Sequence, residues 1–172
     1  MEHEALQRNA RGCHSIVEIG VAEGASALGV REVMAVDGTL YLIDPFHLSR
    51  FRWLNSQRRA AETTVSRCAR AKVTWIEQFS FDAAKSWNKP IDFLFVDGDH
   101  TEEGVLKDWY EWHRFLRSGG RVAFHDARIF KDGWPQEGDG PVKVVNSLFR
   151  ERRVPDWRII EEVHSLVIVE RT

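Results

Sequence analysis

Residues 93–103 read FLFVDGDHTEE. Four apolar residues, Phe93 to Val96, stop at Asp97-Gly98-Asp99-His100, and Thr101-Glu102-Glu103 opens a long amphipathic stretch. A short run that is apolar throughout reads as a strand buried on both faces, as in parallel sheets. Thr101 reads as a helix N-cap, because its hydroxyl can accept from an otherwise unpaired first-turn amide. The stretch is therefore a strand-to-helix junction. Two carboxylates and an imidazole at such a junction have a bland reading, since Asp-Gly is a turn former. The sharper reading is a site beyond the carboxyl end of a parallel strand, where open α/β sheets bind ligands.

The same alternation extends in both directions. Residues 15–20, 39–46, 72–78, 91–97 and 121–126 read as five strands. Between them, residues 25–36, 50–71, 81–87 and 101–120 carry helical spacing, with Gly119-Gly120 as the last stop. A loop over residues 127–140 leads to a helix over 141–152 that starts at Pro141. Residues 157–163 and 165–171 close the chain as two strands with only His164 between them. That link is too short for a parallel crossover, so the closing pair must be antiparallel. The fold class is α/β with a mainly parallel sheet and helices on both faces.

The bulk composition agrees. With 172 residues and 43% hydrophobic content the chain suits one domain, 1–172, with a real core. A net charge of -2 argues against nucleic-acid partners. No apolar run approaches the roughly 18 residues of a membrane span. The N-terminus, MEHEALQRNARGCHS, has no apolar segment of a secretory leader. Cys13 and Cys68 are far apart and match no metal or redox motif, which reads as free thiols in a cytoplasmic protein.

Every strand end carries polar chemistry. Strand one is followed by VEIGVAEGAS, with Glu18, Gly20 and Gly24 in an E-x-G-x-x-x-G pattern, not the G-x-G-x-x-G of dinucleotide folds. Strand two ends at Asp44, which can accept from ribose hydroxyls or simply form an Asp-Pro turn. Strand three leads to EQFSFDAA, where Ser80 or Asp82 could cap a helix and the loop could border an adenine. Strand four ends at Asp97-Gly98-Asp99-His100, and strand five at His125-Asp126. A nucleoside with its ribose on Asp44 and its tail near Gly20 accounts for the first three ends. The last two then hold the reacting partner.

At this point VEIGVAEGAS, LYLIDPF, FLFVDGDHTEEGVLKDW and SGGRVAFHDA resemble the class I S-adenosylmethionine (SAM)-dependent methyltransferases, most closely the small bacterial O-methyltransferases related to the macrocin type. The likeness covers nearly the whole chain, and its most specific part is D-G-D-H followed by G-G-x-x-x-x-H-D. It implies a Rossmann-like seven-stranded sheet in the order 3-2-1-4-5-7-6. It implies that Glu18, Gly20 and Gly24 line the methionine part of SAM, that Asp44 binds the ribose, that Phe79 and Ser80 border the adenine, and that Asp97 also belongs to the cofactor site. Metal-dependent members hold Mg²⁺ with acids at the positions of Asp97 and Asp126. His125 is a candidate third ligand, though imidazole suits softer metals than Mg²⁺. His100 stands where such enzymes place a catalytic base, with Asp97 beside it, and imidazole titrates near neutral pH. A helix-capping role for His100 and a packing role for His125 stay open.

The sequence departs from that family where Glu102 and Glu103 replace a frequent Tyr, and where a longer N-terminal region is lacking. The cover over the acceptor then falls to the loop at 127–140, with Trp134 as a stacking surface, or to a second subunit. Trp53, Trp109 and Trp112 read as core or helix-face residues, and Arg50, Arg52, Arg58 and Arg59 as a solvated face. The expected activity is O-methylation of a small-molecule hydroxyl, on a sugar or natural product, with a divalent metal as an option. The rivals are a nicotinamide-dependent oxidoreductase and a non-catalytic cofactor-binding module.

Overall fold

The computed structural model describes residues 1–46 and 56–172. Arg50, Arg52 and Trp53 lie outside them. Seven strands form one sheet in the order β3-β2-β1-β4-β5-β7-β6. They are β1 (Ser15–Ile19), β2 (Thr39–Ile43), β3 (Lys72–Ile76), β4 (Ile91–Val96), β5 (Leu116–Phe124), β6 (Trp157–Val163) and β7 (Leu166–Arg171). β1 to β5 pair in parallel, while β7 runs antiparallel to both of its neighbours. This is the order that the resemblance implied.

Alternation along the strands divides the core in two. Val17 and Ile19 of β1, with Tyr41 and Ile43 of β2, face α4 (Ser80–Lys85), α5 (Glu102–Trp112) and α6 (Gly140–Val145). Ile16, Leu40 and Leu42 face the other way, onto α1 (Glu2–Ala10), α2 (Ala25–Val33) and α3 (Ser56–Val65). Trp109 and Trp112 are fully buried in the first layer, as their helical spacing with Val105 required. Each such side chain contributes about 1.5–3 kcal/mol through its removal from water.

Three local expectations change. The chain over residues 101–120 is helical only to Trp112. A 3₁₀ turn, His113–Phe115, follows, and β5 takes up the chain from Leu116. Buried Leu116 pairs with Ile91, so sheet pairing captures a segment whose apolar spacing suited a helix. Neither Ser80 nor Asp82 caps α4; Phe79 holds that position and Ser80 is its first residue. Residues 2–10, without an expected element, form α1, whose Ala5, Leu6 and Ala10 pack against the second layer. Arg58 is not a solvated cation: its guanidinium lies 3.7 Å from the Trp75 ring centroid and pairs with Glu62 and Glu77. Among the described residues no helix is long and apolar enough to cross a membrane.

Candidate active site

The parallel ladder runs one residue past each strand, and this aligns the polar ends. Gly20 N–H donates to the Ile43 carbonyl at 2.9 Å, Asp44 to Ile76 at 3.2 Å, Asp97 to Ile19 at 2.8 Å and His125 to Val96 at 3.1 Å. The residues that leave the sheet therefore sit in one row on its carboxyl edge.

A cavity of about 790 Å³ lies over that row. Gly20, Asp44, Phe79, Ser80 and Asp97 all line it. Glu18 and Gly24 do not. Gly20 has φ +83°, and a Cβ there would fall 2.1 Å from the Asp97 carbonyl oxygen, so only glycine lets the β1 and β4 loops meet. Gly24 caps α2 at φ +79°, and its open side faces α3, where a Cβ would lie 3.0 Å from Val65. Its close approach is to a helix. Asp44 braces the first loop: its Oδ2 accepts from Val21 N–H at 2.9 Å and its Oδ1 from Phe46 N–H at 2.6 Å. A carboxylate offers about four acceptor sites, so two remain.

Glu18 is 0% exposed, beneath the loop, on the same strand face as Ile16. Its Oε1 accepts from the Ser26 hydroxyl at 2.6 Å, and its Oε2 has no partner. Burial pushes its carboxyl up to about 8, against the Ser26 bond, which lowers it, and with Asp97 and Asp44 adding to the rise.

At the far side of the cavity, Asp97, His100, His125 and Asp126 converge. Thr101, not His100, caps α5: its Oγ1 accepts from Gly104 N–H at 3.1 Å. Asp99 orients the same turn by accepting from Thr101 N–H at 2.9 Å. This frees the His100 ring, whose Nε2 lies 3.3 Å from Asp97 Oδ1 and whose Nδ1 lies 3.5 Å from Asp126 Oδ2. His125 Nδ1 is 3.0 Å from one oxygen of each acid, off the line for a hydrogen bond to either, so the contact is one of charge. Its Nε2 faces Glu2 of α1 at 3.6 Å.

The charges follow from this packing. Burial lowers the affinity of His125 for its proton, but Asp126 and Asp97 outweigh that and raise the imidazole to about 10. The hydrogen bond to Asp97 raises His100 above the ordinary histidine value, against burial. Burial opposes charge on Asp97, yet the two imidazoles hold its carboxyl below the usual range. Asp126 is buried with φ +52°, and its Oδ1 has no partner. Donor atoms of Asp97, His100 and Asp126 lie within 4.8 Å of one another, a spacing that can hold a metal ion. Above His100 stands Trp134, 61% exposed, with its ring parallel to the imidazole at 6.3 Å between centroids.

A family model described as a methyltransferase domain matches residues 17–127, which hold all of these strand ends. The chain belongs to this methyltransferase family. The chain has the sheet order that the resemblance to the class I methyltransferases implied. An uncharacterized protein of Acanthamoeba polyphaga mimivirus is 26% identical over 121 residues, 67% of this chain and 52% of that protein. The chain thus spans about half the length of this curated relative. In structure it is similar to a protein from Corynebacterium glutamicum, with TM-score 0.76, 16% identity, and 100% and 81% of the two chains covered. It is also similar to the O-methyltransferase TomG from Streptomyces achromogenes, solved in complex with SAM, with TM-score 0.72, 18% identity, and 99% and 79% covered.

Three residues of the candidate site carried no expectation. Asp108 lines the cavity from α5. Its signal was visible: it shares the i, i+3, i+4, i+7 stripe of Val105, Trp109 and Trp112, so an acid stands on a buried face. Ser26, which bonds Glu18, and Glu2, which reaches the His125 region, had no such signal. Both depend on how α1 and α2 pack.

Proposed function

We propose that the protein transfers the methyl group of SAM to a hydroxyl of a small molecule, a sugar or natural product, with His100 as general base. One observation carries the reading. A titratable imidazole stands free of capping duty beside Asp97, an acid that lines the cavity expected to hold the cofactor.

The cavity volume lies in the range of small-molecule sites. The unused acceptor sites of Asp44 suit a ribose diol, and Phe79 offers an aromatic edge to the base. Glu18 supports this end from below, by filling the space under the Gly20 loop with a carboxyl that is mostly neutral at pH 7. In the reaction the acceptor oxygen attacks the methyl carbon, the carbon–sulfur bond breaks, and its electron pair neutralises the sulfonium. The hydroxyl proton passes to His100. Asp97 and Asp126 face its two ring nitrogens and stabilise the imidazolium that forms. Trp134 presents a flat apolar face at the same mouth, suited to stack on a sugar or ring.

The donor set also fits a divalent ion. Asp97 and Asp126 supply hard carboxylate oxygens and the Oδ1 of Asp126 is buried without a partner; His100 lies within the same group, but as the base it keeps its lone pair for the hydroxyl proton and is not counted as a ligand. When bound there, such an ion supplies Lewis acidity that lowers the acceptor hydroxyl pKa.

Calorimetric titration with S-adenosylhomocysteine, beside an Asp44→Ala control, tests the cofactor part. Binding that the control loses supports it. No binding to the folded wild-type protein removes it.

A further inference from the structure

Glu2, the first residue of α1, reaches the acid–imidazole cluster from outside the strand ends, and its two oxygens face different parts of it. Oε1 accepts from both the N–H and the hydroxyl of Ser165, at 2.7 and 2.8 Å. Ser165 is only 3% exposed and sits in the turn between β6 and β7. Its carbonyl accepts at 2.8 Å from the Ala127 N–H, the amide that directly follows Asp126. Oε2 of Glu2 faces His125 Nε2 at 3.6 Å, and the other nitrogen of that ring lies 3.0 Å from Asp97 Oδ1 and from Asp126 Oδ2. One carboxylate therefore braces both neighbours of Asp126, His125 directly and Ala127 through Ser165.

Asp126 is the residue that needs this support. Its φ of +52° is left-handed backbone, which costs free energy and persists where surrounding contacts over-determine it. Its Oδ2 lies 3.5 Å from His100 Nδ1, so any drift of the turn carries the acid away from the imidazole. Docking of α1 does not depend on Glu2. Ala5, Leu6 and Ala10 pack into the second layer, and Arg8 and Asn9 both bond Glu161 of β6. Resting on the assignment of His100 as base above, we propose that Glu2 is a positioning residue for the methyl transfer: from α1 it sets the His125–Asp126 turn and so holds Asp126 against the His100 ring. It touches neither cofactor nor acceptor, and acts through the two residues that flank Asp126.

The test reads the imidazoles themselves, by carbon–proton NMR of the histidine rings in the full chain, with His100→Gln and His125→Gln assigning the two signals. Glu2→Ala should shift both, that of His100 through Asp126. It should also speed hydrogen exchange at the Ala127 amide by about tenfold or more, because Ser165 loses its acceptor. Glu2→Gln keeps an oxygen for Ser165 but loses the charge that faces His125. It should shift the His125 signal and leave Ala127 protected. Leu6→Ala is the control for a purely structural role: it loosens α1 in the second layer without touching the turn, and should move neither signal. Unmoved signals in folded Glu2→Ala overturn the inference, as does an unmoved His125 signal in Glu2→Gln. Equal shifts in Leu6→Ala overturn it too, since Glu2 would then only dock α1. Calorimetry with S-adenosylhomocysteine separates this from the reading it rests on. Glu2 does not line the cavity, so both Glu2 variants should bind as wild type does. If wild type does not bind, the SAM reading has failed and the inference with it; binding with unmoved ring signals overturns the positioning role alone.

Discussion

Glu18→Gln separates a buried charge from a buried shape. Glu18 is enclosed, bonded to Ser26 through one oxygen and unpartnered at the other, with its carboxyl raised from 4.5 to about 8. The folded protein therefore binds a proton that the unfolded chain releases near pH 4.5. For a raised carboxyl the sign is unfavourable as pH climbs: stability is unaffected below the unfolded value, falls between 4.5 and about 8, and then levels off. A rise of about 3.5 units at 1.36 kcal/mol each sets the full cost above pH 8 at roughly 5 kcal/mol. Gln keeps the volume, keeps an oxygen for Ser26 and never ionises. The variant should match wild type near pH 5 and exceed it increasingly up to pH 9. At about 2–4 °C per kcal/mol for a chain of this size, the Tm gap at pH 9 should be on the order of 10 °C. Differential scanning fluorimetry of both proteins from pH 5 to 9, without ligand, reads it. All other titrations are shared and cancel in the difference. A gap that does not change with pH refutes the reasoning.

Gly20→Ala adds a Cβ 2.1 Å from a backbone oxygen at φ +83°, so it should cost about 3 kcal/mol or more, visible as a fall in urea midpoint. A near-wild-type midpoint would show that the two loops separate freely. His100→Ala should lower kcat by about 10²–10⁴ while S-adenosylhomocysteine affinity holds, since His100 does not line the cofactor cavity. Because the bond to Asp97 raises His100 above its ordinary value, wild-type kcat should rise with pH through a midpoint higher than that of a free imidazole; a flat profile excludes this base. The same shift adds stability below the unfolded value and loses it as pH rises through the folded one. Mg²⁺ must compete with the protons on His100 and His125, so its affinity, read by calorimetry, should rise with pH and its binding should release protons. Full turnover in excess chelator removes the metal from the proposal.

The alternation of apolar runs with amphipathic stretches was enough to place all seven strands, because each reads locally as a short β-branched or apolar run, even the partly exposed β3 and β6. The short link at His164 required the antiparallel end. At the site, Asp44, Asp97, His100 and Asp126 were legible because a strand end puts its polar residues in a known place. What stayed hidden depends on packing between elements. Glu2 meets Ser165 and His125 across the whole length of the chain. The empty side of Gly24 receives α3, as no local pattern states. The end of α5 was misplaced because Leu116 fits a helix stripe as well as a strand opposite Ile91.

The contact of Gly20 with the Asp97 carbonyl also bears on how this scaffold can be re-engineered. The loop after β1 and the loop after β4 touch backbone to backbone, with no side chain between them to absorb a change. A transplant of either loop from another scaffold carries its own backbone path into that contact. The two segments have to be exchanged as one cassette, and variation in libraries is better placed around Trp134 than at Gly140, where a Cβ would fall 2.5 Å from the His100 carbonyl oxygen.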